Sequence, residues 1–428
     1  MSLFNWQERP AAALVNGGVI APDERLPWPQ TAAMGVQHVI AMFGATVLAP
    51  ILMGFDPNLA IFMSGVGTLL FYFITGGQVP SYLGSSFAFI GVVIAATGYA
   101  GQGPNPNIAV ALGAIIVCGL LYALIGALVN AVGTRWIERL MPPVVTGAVV
   151  AVIGLNLAAI PVKNMAASNF DSWMQLVTFV SVALVAVFAR GMVQRLLILV
   201  GLAIASVIYV LLANGLGLGK PMDFSGIASA AWVGLPRFTA PVFEGNAMLL
   251  IAPVALILVA ENLGHLKAVA AMTGRNLDPY IGRAFTADGV ATMISGAAGG
   301  TGVTTYAENI GVMAATRIYS TAVFVVAALM ALALGFSPKF GALIQAIPLP
   351  VMGGVSIVVF GLITIAGARI WVDNKVDFSN PANLLTAAIT LILGTGDFTL
   401  KFGSFALGGI GTATFGAVLL HALLRRRA

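Results

Sequence analysis

The chain has 428 residues, of which 59% are hydrophobic and only 8% charged, and its net charge is +5. Soluble domains carry about 25% charged residues, and no water-soluble core can hide this much apolar surface. The single cysteine, Cys118, excludes a disulfide framework or a cysteine metal site within one chain, and the scattered basic residues read as topology signals rather than a nucleic-acid surface.

Residues 1–31 are polar, contain proline and mix charges (Glu8, Arg9, Asp23, Glu24, Arg25). They lack the basic start, apolar stretch and cleavage site of a signal peptide, so a cytoplasmic N-terminal segment and a retained first span are expected. Apolar stretches able to cross about 30 Å of hydrocarbon then recur. They are placed at 32–54, 58–76, 82–99, 108–131, 139–160, 172–189, 196–215, 247–268, 280–298, 304–316, 318–336, 350–368, 381–396 and 403–424, ahead of a basic tail at 425–428. The expectation is an all-α polytopic membrane protein with fourteen transmembrane segments. With the N-terminus inside, fifteen Lys and Arg fall on inward segments and five (Lys163, Lys220, Arg237, Lys339, Lys401) on outward ones. That bias places both termini in the cytoplasm.

The chain also repeats itself. Residues Phe87-Ala88-Phe89-Ile90-Gly91 overlay Ala307-Glu308-Asn309-Ile310-Gly311 at an offset of 220, and Gly44 meets Gly264 at the same offset. From Pro143 to Leu155 and from Pro350 to Leu362, at an offset of 207, six of thirteen positions are identical. Seven spans per repeat is an odd number, so the second copy must cross in the opposite sense, as in many secondary transporters. Spans 3 and 10 open on Gly-, Ser- and Thr-rich stretches, Tyr82 to Ser86 and Gly299 to Thr305, each followed by a short apolar run. An extended segment followed by a half-helix is expected in both, with half-helix N-termini suited to the carbonyl oxygens of a polar substrate.

Glu261 closes the apolar run from Ala247 to Ala260, and Glu308 lies in the other half of the repeat. An ionisable group at mid-bilayer depth costs roughly 2.5–3.5 kcal/mol, so such groups usually serve a substrate, an ion or a proton. Glu261 and His265 are one helical turn apart, about 6 Å, and are placed to share a proton or to tie helices together. Glu308 suits both a binding role and a helix cap. His38, after Gln37, suits a structural hydrogen bond. Asp288 suits a pairing with Arg283, a cap or a functional role, and Lys267 a snorkelling position towards the cytoplasm.

Glu308-Asn309-Ile310-Gly311-Val312-Met313-Ala314-Ala315-Thr316-Arg317 resembles the signature of the nucleobase:cation symporter-2 family, the nucleobase–ascorbate transporters. Gln37-His38 resembles that family's Gln-His pair, and Gly84-Ser85-Ser86-Phe87-Ala88-Phe89 and Glu261-Asn262-Leu263-Gly264-His265 resemble its uracil permease branch. The resemblance implies two inverted seven-span repeats divided into a core (spans 1–4 and 8–11, about 32–131 and 247–336) and a gate (spans 5–7 and 12–14, about 139–215 and 350–424). It implies that Glu261 and Glu308 contact the base, that backbone amides of Phe87 and Ala307 donate to it, and that His265 with Glu261 couples a proton. His38, Asp288, Tyr306 and Asn309 would support them. Ala307 stands where the branch typically has Gly; the backbone donor survives, and the added methyl group bears on the choice among uracil, thymine and xanthine. The implied function is proton-coupled uracil import by alternating access across a bacterial inner membrane, by a homodimer without cofactor or metal. The rival on the same architecture is an anion exchanger or channel, which two acids beside the half-helix N-termini disfavour. An intramembrane enzyme lacks its motifs here, with no His-Glu-x-x-His and no Gly-x-Ser-x-Gly.

Overall fold

The computed structural model describes residues 4–10, 14, 18–99, 103–190, 192–402 and 405–425. The main elements run, in order, α1 (Trp28–Met53), α2 (Pro57–Ile74), β1 (Leu83–Ser85), a 3₁₀ turn Phe87–Phe89, α3 (Ile90–Thr97) and α4 (Ile108–Val132). Next come α5 (Arg135–Leu140), α6 (Pro143–Leu157), α7 (Asn169–Phe188) and α8 (Leu197–Val210). The second half holds α9 (Val254–Thr273), α10 (Ile281–Ala298), β2 (Val303–Thr305), α11 (Ala307–Thr316), α12 (Thr321–Gly335), α13 (Leu349–Asp373), α14 (Pro381–Thr395) and α15 (Gly409–Leu424). Among the described residues eight helices are long and apolar enough to cross a membrane, or nine if the bent pair of α12 and Pro338–Gln345 is one span. Spans 3 and 10 do open on extended segments followed by short helices.

Several boundaries depart from expectation, each for a local reason. Span 5 begins at Pro143 rather than 139, because Pro142 and Pro143 split off the short α5. Span 8 runs to Thr273 and is interrupted after Ile251, where Pro253 has no N–H to give. Span 11 starts at Thr321, since the backbone before it pairs elsewhere: Ile20 donates to the Arg317 carbonyl and Tyr319 to that of Ile20. Span 14 starts at Gly409 after a hairpin of Leu400–Phe402 with Phe405–Leu407; residues 403–404 of the expected span lie outside the described residues, as do 426–428 of the tail.

The chain divides into two compact units, residues 1–89, 96–134 and 231–341, and residues 90–95, 135–230 and 342–428. In the first, α10 packs along α4 and α12 along α2, and these pairings are the two repeat copies of one contact. The α4–α10 seam is backbone-close: a Cβ on Gly289 would sit 2.4 Å from the Ala123 nitrogen, and one on Gly119 2.7 Å from the Gly289 carbonyl. Small residues are the usual route to tight helix packing in lipid, where van der Waals contact replaces the hydrophobic effect. The N-terminal segment is bolted to this unit. Gln7–Glu8 pairs with Glu24–Arg25 in parallel, Ile20 and Leu26 form a small core with Ile318 and Val323, and Asp23 pairs with Arg275. In the second unit α13 packs on α6 and α7, α14 on α6 and α15, and α7 on α8.

Candidate functional site

Two strands make the centre of the first unit. β1 and β2 are antiparallel, with Leu83 opposite Thr305, Gly84 opposite Thr304 and Ser85 opposite Val303. The 220-residue repeat offset maps Gly84 onto Thr304, Leu83 onto Val303 and Ser85 onto Thr305. The repeat's two-fold axis therefore runs through the Gly84–Thr304 pair. The flanking bonds obey it, Ser86 donating to the Gly302 carbonyl at 2.9 Å and Tyr306 to that of Tyr82 at 3.0 Å.

Two strands this short, at membrane depth, leave outer edges that need partners. Helix hydroxyls supply them. Thr68 of α2 accepts from the Leu83 N–H at 2.9 Å, and Thr292 of α10 accepts from that of Val303 at 3.2 Å. Tyr306 locks the crossing from the side, donating to the Ser85 carbonyl at 2.9 Å and accepting from Thr46 at 3.0 Å. Glycine at 84 is required there, because a Cβ would lie 2.5 Å from the Tyr306 ring; at Gly302 it would lie 2.2 Å from Phe89.

The crossing delivers Phe87 at the start of its 3₁₀ turn and Ala307 at the start of α11. Phe87 is buried apart from an edge, Ala307 is exposed and Glu308 is half-buried in the first turn of α11. First-turn N–H groups of α11 have no intrahelical acceptor and carry partial positive charge. Half-buried Glu261, on α9, lies beside Thr304 and within electrostatic reach of Glu308. Thus Glu261, Glu308 and Ala307, predicted from separate motifs, converge at β2 and the start of α11.

His265 takes a partner that sequence reasoning did not foresee. Its Nδ1 lies 2.8 Å from the Thr305 hydroxyl, while that hydroxyl donates in a short bond to Asn262 Oδ1. A hydroxyl has one proton to give. His265 must then donate from Nδ1, which makes Nε2 the lone-pair nitrogen of the neutral ring. Asn262, fully buried, also accepts from Thr304 at 3.1 Å, and through Nδ2 donates to Tyr122 at 2.5 Å and to the Asp288 carboxylate in a short bond. Asp288 is therefore neither paired with Arg283 nor a cap: it sits mid-helix in α10, held by Asn262, while Arg283 lies over the Tyr280 ring. The missed residues Asn262, Thr304, Thr305 and Tyr122 join His265 to Asp288. Their signs in the sequence were Asn262 between Glu261 and His265 and the Thr-rich end of the stretch Gly299 to Thr305; Tyr122 had none.

His38 and Asn309 are brought together. Asn309 Nδ2 lies 3.0 Å from both the ring nitrogen Nδ1 and the carbonyl of His38, and the His38 ring packs on Phe324 at 4.6 Å. This ties α11 to α1, so both residues support the half-helix. Lys267 forms an exposed ion pair with Asp278 at 2.8 Å.

The Permease family model (Xan_ur_permease) matches residues 29–402. RutG of Escherichia coli (strain K12), which carries a pyrimidine-permease name, is 69% identical over 430 residues, covering 100% of this chain and 97% of its own. The uracil permease of Bacillus caldolyticus is 41% identical, covering 96% of both chains, and that of Escherichia coli (strain K12) 39%, covering 95% and 94%. Among solved structures, the transmembrane domain of the cyanobacterial bicarbonate transporter BicA aligns with a TM-score of 0.63 at 14% identity, covering 92% of this chain and 97% of that one. Murine Slc26a9, an anion transporter in its inward-facing state, aligns at 0.69 and 11% identity, covering 97% and 72%. These two likenesses show a shared fold. The motifs and the full-length relatives place the chain, a multi-pass membrane transporter and not an enzyme, in the nucleobase:cation symporter-2 family, in its uracil and pyrimidine permease branch.

Proposed function

We propose that this nucleobase permease imports uracil together with a proton. The observation that carries the reading is the meeting of Glu261 and Glu308 beside the opening turn of α11, at the crossing of β1 and β2. Uracil is a flat ring edged by N–H donors and carbonyl acceptors. Carboxylates accept from its N–H groups, and backbone amides at Ala307 and Phe87 suit its carbonyls. Ala307, exposed at the start of α11, adds a methyl group where a base held by that turn would lie, which favours the single pyrimidine ring over the larger xanthine.

Proton coupling is assigned to His265 with Glu261, one turn apart on α9. With Nδ1 engaged by Thr305, a proton arriving at His265 adds at Nε2, and the imidazolium so formed would favour an ionised carboxylate on Glu261. The first unit acts as the core, with the site, and the second as the gate, in a homodimer of the inner membrane with both termini in the cytoplasm. Uptake of labelled uracil into proteoliposomes, under imposed pH or sodium gradients and with thymine and xanthine as competitors, tests the reading. Accumulation driven by an inward proton gradient and blocked best by uracil is expected; a response to sodium alone, or preference for xanthine, would refute it.

A further inference from the structure

The second unit holds a cavity of about 580 Å³ that the transport site does not use. It lies where α5, the start of α6, the link from α13 to α14 and the end of α15 converge. Four cationic side chains line it, Arg135, Arg139, Lys375 and Arg425, against two carboxylates, Glu138 and Asp377. Asp377 is already engaged by Ser379, which donates its backbone N–H at 2.8 Å and its hydroxyl at 2.6 Å. Basic residues at helix ends are ordinary in membrane proteins, where they set topology. Two further observations set this group apart.

His421, which lines the cavity one turn before Arg425, is 7% exposed, and its Nδ1 is buried without a hydrogen-bond partner. A buried polar nitrogen left unpaired is costly, and each such atom in a native fold calls for a partner. Lys375 holds a left-handed backbone (φ 49°) just past the end of α13, a position glycine fills without strain. Lysine there brings a cation to the cavity wall at a steric cost that glycine would avoid. In the opening turn of α6 only the Val144 N–H is left to offer, since Pro143 has none and those of Val145 and Thr146 go to the Pro142 carbonyl.

We infer that this cavity is a binding site for a phosphate-bearing anion, held by Arg135, Arg139, Lys375 and Arg425, with His421 in its wall. Planar guanidinium forks match phosphate oxygens two at a time, and the volume exceeds that of a bare phosphate, leaving room for the group it esterifies. A phospholipid headgroup and a soluble phosphate ester present the same chemistry.

Native mass spectrometry of the full-length protein separates the two sources, with dioleoyl phosphatidylglycerol, dioleoyl phosphatidylcholine and inorganic phosphate as individual probes. A saturable single adduct is expected with phosphatidylglycerol, which assigns a lipid, or with inorganic phosphate, which assigns a soluble ester. Arg139→Gln and Arg425→Gln should each weaken it about tenfold, the loss of one charge-assisted contact. Uracil affinity should stay within about twofold, and Arg237→Gln, in the other unit, should change nothing. Lys375→Gly guards against misfolding, because it relieves the left-handed strain: it should keep or raise the ligand-free melting temperature and still weaken the adduct. Binding no tighter than phosphatidylcholine's for both anionic probes, or equal binding by all three cavity variants and the parent chain, would overturn the assignment.

Discussion

The proton on the Thr305 hydroxyl is committed to Asn262, and that commitment fixes the tautomer of His265. Thr305→Val removes the hydroxyl facing Nδ1 and leaves the hydrogen bond to the Thr305 backbone, so the hold on the ring's tautomer and orientation weakens. Equilibrium uracil binding by this variant should fall little, whereas accumulation driven by a pH gradient should fall several-fold. His265→Ala should show the same split more strongly, and an unchanged dependence of uptake on the pH gradient would remove His265 from coupling. The carboxylates behave differently, because they are proposed to touch the base. Glu261→Gln and Glu308→Gln each replace a charged acceptor by a neutral amide, a loss of roughly 1–3 kcal/mol, and calorimetry should register a tenfold or greater fall in uracil affinity with the fold intact. Asn262→Ala is a third case. It strips the buried Asp288 of its closest donor, leaving only the Tyr122 hydroxyl at 3.5 Å, and should lower the melting temperature, since a buried carboxyl group poorly paired carries much of its desolvation cost.

At the scale of elements, the β1–β2 crossing is a precision part and its glycines are its tolerance. Gly84→Ala puts a methyl carbon 2.5 Å from the Tyr306 ring, and Gly302→Ala one 2.2 Å from Phe89. Both contacts are closer than packed carbon atoms allow, so both variants should lose thermal stability and substrate binding together. Ala307→Leu makes the opposite prediction. Ala307 is exposed at the start of α11, so the larger side chain should occlude substrate while the melting temperature in detergent stays near that of the parent. This contrast separates a structural fault in the crossing from a steric block at its mouth. The broken spans were legible in the sequence because Gly, Ser and Thr runs interrupt apolar stretches; the offset of 220 related the two segments, but their antiparallel pairing appears only in the structure. The partners of His265 and Asp288 were not legible. Both depend on which face of α9 and α10 meets β2, and helices apolar on most sides carry no periodic signal to orient them. The N-terminal segment was read only as polar and cytoplasmic, since its docking rests on backbone bonds to Arg317 and Tyr319 that no side-chain pattern announces.

At the scale of the whole chain, the two repeat copies meet antiparallel about the Gly84–Thr304 pair, so the crossing presents equivalent backbone in either direction. That equivalence suits alternating access, because neither face owns the substrate. Direction must then come from the coupled ion. Uracil is neutral, so one proton moved with each base makes the cycle electrogenic, and the membrane potential contributes about 2.3 kcal/mol per elementary charge per 100 mV. A one-to-one stoichiometry therefore predicts roughly fifty-fold accumulation at 100 mV. Proteoliposomes holding the purified transporter at equal pH on both sides, with a potassium diffusion potential of that size, negative inside, measure this directly. Accumulation near the predicted ratio, abolished by a protonophore and indifferent to sodium, is the expected outcome. If uracil merely equilibrates under the potential and concentrates only when a pH difference is imposed, the proton's charge is compensated within the cycle. The assignment of a single uncompensated proton to His265 and Glu261 then fails, while the binding roles of Glu261 and Glu308 remain to be judged by their own affinities.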